Sequence, residues 1–307
     1  MKYNYLIVLL FTGLLAFPQG DLTKQIQTLM SQLRAQQPVT VDRGKIIASA
    51  NYKETSEVLT KYASDTVLNV RYEALNMLSQ SAIRSKDKTL IKKSIRNTIK
   101  NSVINNTINN QIVNLLKRNA KQDFENDELI LMKATLESRE NNIGNLAKIY
   151  AFAGGATVLM DLNALLVKPN LTKGDKKDLK LALTRCGDER YATKMNETLK
   201  QQVVNDELIY SALPDILYTK NKAMFSFLLD GILSDSKKCS SANNDDNTPM
   251  ICAYRLIEQL APEIVDFPAT VNEKGEINSK DLPKTLTEVR EWIKKNKDTF
   301  VINTAVY

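Results

Sequence analysis

The chain has 307 residues, enough for one large or two ordinary domains, and its 43% hydrophobic and 25% charged content excludes an intrinsically disordered chain. Ten Gly and eight Pro are too few for the closely spaced turns of a β-sandwich or barrel, so long helices joined by short polar turns are expected. The net charge of +7 comes with no histidine, which excludes Ser-His-Asp and Cys-His nucleophile systems, histidine general bases and most zinc sites.

The opening residues, MKYNYLIVLLFTGLLAFPQG, carry one lysine and then the apolar run Leu6–Phe17, interrupted only by Thr12 and Gly13. A charged start before a short apolar run has the form of a secretory signal peptide, expected over residues 1–20 and ending at Ala16 or Gly20. The run is short for a bilayer core, although an uncleaved anchor is the alternative reading. No cysteine follows it, so a bacterial lipid anchor is not indicated, and no later stretch is expected to span a membrane. The expectation is a soluble chain exported to a periplasmic or extracellular compartment. Next, Leu22, Ile26, Leu29, Met30 and Leu33 have the spacing of an amphipathic helix that would cap the fold before Pro38.

From Asn51 to Leu233 the pattern recurs. Val70, Ala74, Leu75 and Leu78 map onto Ile108, Ile112, Val113 and Leu116 when shifted by 38. The word NDELI occurs at Asn126–Ile130 and again at Asn205–Ile209, 79 residues on. The apolar face Leu146, Ile149, Tyr150, Ala153 that follows the first copy maps onto Phe225, Leu228, Leu229, Ile232. Asn and Asp ahead of each run suit helix starts, because their side chains accept from amides that lack partners in the first turn. A period of roughly 38–40 residues with two helices per unit predicts stacked helical hairpins that share one core. Gly154-Gly155 reads as a helix break. Acidic pairs such as Asp206-Glu207 read as groups favouring the helix dipole rather than as catalytic carboxylates.

The stretch SDTVLNVRYEALNMLSQSA (Ser64–Ala82) resembles a HEAT repeat, with an Asp, then Val-Arg, then Ala-Leu and a further Leu in helical register. It departs from that pattern in one respect, since Asp65 stands five residues before Val70 and not three. LTRCGDERYATKMNETL (Leu183–Leu199) is similar to the variant in which a Gly-Asp turn joins two helices. The resemblance implies an all-α, right-handed α-solenoid: one elongated domain over residues 21–307, with a repeat core at about 51–233 and a capping region at about 234–307. The expected function is a non-catalytic, protein-binding scaffold that uses the curved surface stacked hairpins create. Such arrays bind peptides and nucleic acids and occasionally house enzymes, so the architecture leaves the function open. An enzyme or enzyme subunit with a carboxylate site or a bound small molecule is the alternative. No cofactor and no metal site is expected.

Charge gives the sharpest local signal. Between Lys88 and Gln122 there are eight basic residues and no acidic one, so against a total of +7 the rest of the chain sums to −1. Lys88, Lys92, Arg96 and Lys100 lie four apart beside the stripe Ile91, Ile95, Ile99, and Lys93 adds to the same helix. The face is either a solvated surface or a docking site for an anionic partner, an acidic protein first, then a surface glycan or phospholipid headgroups. Nucleic acid is disfavoured by export. The sequons at Asn105, Asn170 and Asn196 matter only where the source glycosylates them.

Toward the end, Cys239 and Cys252 flank a polar loop, and an oxidising compartment would favour a bridge worth about 3 kcal/mol in the chain-entropy model. Cys186 falls on an apolar helical face and reads as a buried thiol. NNDDN (Asn243–Asn247) offers oxygen ligands, but it lacks EF-hand spacing and reads as a solvated loop. ATVNEKGEINS suggests a small β-hairpin, and a last helix over Leu286–Lys297 carries the lone tryptophan, Trp292.

Overall fold

The computed structural model describes residues 19–140, 142–240 and 248–307. The expected signal peptide, apart from its last two residues, and the NNDDN loop lie outside these. The fold is predominantly helical, and its contacts divide into two compact units, Met1–Asn101 and Ser102–Tyr307.

The first unit comprises α1 (Gln19–Arg34), α2 (Arg43–Ala48), α3 (Tyr52–Thr60), α4 (Leu68–Ser85) and α5 (Lys88–Asn101). The apolar spacing read in α1 buries Leu22, Ile26, Leu29 and Met30 against Ile46, Leu59, Val70, Met77 and Leu78. Helix starts are fixed by aspartates: Asp42 accepts from the Lys45 amide at 3.3 Å, and Asp87 from the Thr89 amide at 2.7 Å. In the segment Ser64–Ala82, Asp65 accepts from the Val67 amide at 2.9 Å, while Arg71 returns to the Asp65 carbonyl at 2.8 Å.

The second unit opens with a two-stranded antiparallel ladder, β1 (Val103–Ile104) and β2 (Thr107–Ile108), in which Val103 pairs with Ile108. Asn105 (φ 48°) and Asn106 (φ 65°) make its turn, because asparagine tolerates the left-handed region that a two-residue hairpin requires. There follow α6 (Asn110–Asn114), α7 (Asn126–Glu137), α8 (Gly144–Gly154), α9 (Leu159–Leu166), α10 (Lys173–Arg185) and α11 (Glu189–Lys200). A π-helical turn, Leu208–Ala212, leads into α12 (Leu213–Thr219), α13 (Lys222–Leu233), α14 (Ala253–Leu260) and α15 (Leu282–Asn296). Helix α8 packs on α7 and α10, α10 on α11 and α12, and α13 on α11, α14 and α15. Shifted by 79 residues, α7 lands on the π turn and α12, and α8 on α13, with α9, α10 and α11 between, an order compatible with a helical repeat. The 38-residue shift instead carries the long α4 onto a hairpin and short turns; the two sets of apolar residues share burial, not an element.

Two further expectations change. The stretch Gly144–Leu166 is long and apolar enough to cross a membrane. It breaks at Gly154-Gly155, where Gly155 has φ 58° and a Cβ on Gly154 would collide with the Val158 side chain. Leu146, Ala147, Ile149, Tyr150 and Phe152 are buried, so α8 is a core helix of this unit, which accounts for its apolar composition. The ATVNEKGEINS segment forms a turn closed by one bridge, Val271 to Ile277, with Gly275 at φ 79°. Trp292 on α15 packs edge-on against Phe267 at 5.3 Å.

Candidate functional site: a lysine-rimmed cleft

The first turn of α10 is anchored from both sides. The Thr172 hydroxyl oxygen accepts from the Asp175 amide at 3.0 Å, and Asp175 accepts from the Thr172 hydroxyl at 2.8 Å. The same carboxylate accepts from the amides of Asn142 (2.9 Å) and Gly144 (2.8 Å), fastening α10 to the start of α8. Burial would raise the Asp175 pKa, but these hydrogen bonds outweigh it and hold the carboxyl below its usual range.

So fixed, α10 presents Lys177, Lys180 and Leu181 on one face, and α11 presents Tyr191, Lys194, Met195 and Thr198 with the same helical spacing. The π turn adds Ser211 and Ala212, and α12 adds Asp215 and Ile216. Together they enclose a cleft of about 550 Å³, within the range of small-ligand sites. Its floor is apolar, with Leu181, Leu199, Ile216 and Met224 all buried. Its rim is basic. Lys177 pairs with Asp215 at 2.7 Å, and the hydrogen bond to that carboxylate raises the lysine pKa. Lys180 and Lys194 are exposed and pair with no carboxylate among the described residues. Tyr210, 69% exposed, and Val203, 50% exposed, adjoin the cleft residues Ser211 and Gln202 in sequence.

The wall made by the π turn is braced from behind. Asn205 accepts from the Leu208 amide at 3.0 Å and so starts the second NDELI helix. Asp206, the first residue of that helix, accepts from the Ser240 amide (2.8 Å) and hydroxyl (2.6 Å). Ser240 follows Cys239, whose sulfur is bonded to that of Cys252, with the Cα atoms 5.1 Å apart. Cys186 is buried, and burial pushes its thiol up to about 12.

The residues singled out by charge fall elsewhere. Lys88, Lys92, Lys93, Arg96 and Lys100 lie on α5; Lys88 and Lys100 are exposed, whereas Lys92, Lys93 and Arg96 are half-buried, and Lys92 and Arg96 are engaged with partners. The other three, Lys117, Arg118 and Lys121, sit on 3₁₀ turns of the second unit. The basic run of the sequence is therefore not one helix face but crosses the boundary between units. In the first unit a polar recess is lined in part by Lys53, Glu54, Glu57 and Asp87, but Glu54 accepts from the Thr23 hydroxyl and Asp87 is occupied at the start of α5. Among the described residues, no three His, Cys, Asp or Glu side chains are grouped to hold a metal ion. Comparison of the chain with protein-family models, curated proteins and solved structures finds no match.

Proposed function

We propose that the chain is an exported, non-catalytic scaffold of HEAT-like helical hairpins that binds a partner protein. In this reading the lysine-rimmed cleft takes an acidic amphipathic helix of that partner. The carrying observation is the combination of an apolar floor with Lys180 and Lys194, two cations that pair with no carboxylate among the described residues. An apolar helix face would exclude water from the floor, while acidic residues beside it would meet the rim. Asp215, the one carboxylate among the described residues that line the cleft, is engaged by Lys177, which favours binding over acid–base chemistry.

The test uses a labelled synthetic helix with leucine along one face and glutamate along the other, titrated against the full chain by fluorescence anisotropy. Binding in the roughly micromolar range at low salt is expected, with loss in the double variant Lys180→Glu, Lys194→Glu. Equal binding of a control helix with lysine in place of glutamate would sink the proposal. Helix α5 supports a second reading, attachment to anionic headgroups or glycans, because its five cations are accompanied by no acidic residue. Sedimentation with anionic vesicles at low salt tests it, and failure to co-sediment ends it.

A further inference from the structure

A separate site of the second unit is filled by the chain itself. Beyond the bridge from Ile302 to Ile264, the segment Asn303–Tyr307 forms no regular structure. Three main-chain contacts hold it: the Asn303 amide donates to the Glu263 carbonyl at 2.8 Å, the Lys121 amide donates to the Ala305 carbonyl at 3.3 Å, and Arg185 donates to the Val306 carbonyl at 3.0 Å. Thr304, Ala305 and Val306 remain exposed. The ring of Tyr307 turns inward, edge-on to Phe152 at 5.7 Å and tilted against Tyr218 at 5.3 Å, with Lys117 Nζ 4.8 Å from its centroid. The Arg185 guanidinium lies 5.0 Å from the ring centroids of both Phe152 and Tyr218. It donates to the Tyr218 carbonyl at 2.6 Å and pairs with no carboxylate among the described residues.

This seat therefore recognises two things: one aromatic ring, through stacking and a cation, and the carbonyls of an extended backbone. It reads none of the three side chains between Asn303 and Tyr307. A purely structural cover would turn Ala305 and Val306 inward and leave no need for a charged group under the rings, because desolvating a guanidinium is costly. We propose that the seat is a recognition site for an extended peptide segment of a partner carrying a tyrosine or phenylalanine, and that Asn303–Tyr307 occupies it as a tethered competitor. The inference is independent of the cleft, whose lining does not include Arg185, Phe152 or Tyr218.

A tethered segment acts at an effective concentration on the order of millimolar, so the apparent affinity for a free peptide is its intrinsic affinity multiplied by the fraction of molecules whose seat is open. The experiment compares the full chain with its Tyr307→Ala variant, using a labelled peptide of sequence NTAVY as probe and fluorescence anisotropy as readout. The variant should bind the probe roughly tenfold or more tightly than wild type. Adding Arg185→Gln should remove about tenfold of that gain, and a probe with alanine in place of tyrosine should not bind. Equal affinity for wild type and Tyr307→Ala, or no binding to a variant that still melts cooperatively, overturns the proposal. Hydrogen exchange on the wild-type chain gives a second reading that needs no variant. Fast exchange of the Asn303 and Lys121 amides, which make the main-chain bonds of the segment, relative to α8 and α10 supports a displaceable segment, and protection equal to that of the core overturns it.

Discussion

Helix α5 and the cleft are both basic, yet they differ in what lies between the charges. On α5 the isoleucines are spent on the core of their own unit, with Ile91, Ile95 and Ile99 buried, so its cations stand on a surface with little apolar area to offer. Around the cleft the deepest residues are just as buried, but Tyr191, Met195 and Ala212 on its walls are only partly buried and leave apolar surface open between the lysines. Charge alone steers and solubilises, whereas charge around uncovered apolar surface can also hold a ligand.

The sharpest way to break this comparison is to charge the apolar part of the α11 wall. Met195→Asp should weaken binding of the acidic helix by roughly a hundredfold or more, since a like charge set against the ligand costs several kcal/mol. Changing Lys92, Lys93, Arg96 and Lys100 together to Gln should leave affinity within about twofold, because none of the four lines the cleft. The opposite pattern in anisotropy titrations would transfer the site to α5. Next in size is the brace behind the cleft. Replacing Cys239 and Cys252 by Ser should lower the unfolding free energy by about 3 kcal/mol in urea titrations and loosen the π turn through Ser240 and Asp206.

Asp175→Asn, which weakens the fastening of α10 to α8, should cost about 1–3 kcal/mol. The sign of its pH dependence follows from a folded pKa held below the unfolded value of about 3.9. The stabilisation is present above that unfolded value and is lost as pH falls through the folded one, so thermal melts below about pH 4 should show wild type converging on the variant. The smallest effect belongs to the rim. Lys180→Gln or Lys194→Gln alone should weaken the acidic helix only about three- to tenfold, with a shallower dependence on salt.

What the sequence made legible was local. The periodicity of Leu22 to Met30 found α1, glycines at 154 and 155 found a helix break, and the polar flanks of Asn126 found a helix start, because each depends on residues within one or two turns. The ladder at Val103–Ile108 was also within reach, since Asn-Asn between β-branched residues is a hairpin signal, but the asparagines were read only as a glycosylation motif. The cleft was not legible. Its walls come from α10, α11 and α12, and nothing in the α11 pattern Tyr191, Lys194, Met195, Thr198 distinguishes a face turned to a cleft from one turned to water. The seat of Tyr307 was hidden for the same reason, as its rings come from residues 152, 218 and 307.

The π turn at Leu208–Ala212 has a consequence for how this chain tolerates change. A π turn holds one residue more than an α turn, and here the surplus sets the phase of everything after it. Leu208 and Leu213, five apart, are both buried, while Tyr210 and Ser211 between them are left outside. Deleting a single residue, Tyr210, would restore ordinary helical phase and rotate Ala212, Asp215 and Ile216 by about 100° relative to the preceding turn, taking one wall of the cleft with them. The cleft is thus guarded less by the identity of any one side chain on that wall than by its residue count, and insertions or deletions, not substitutions, are the changes to which it is most exposed.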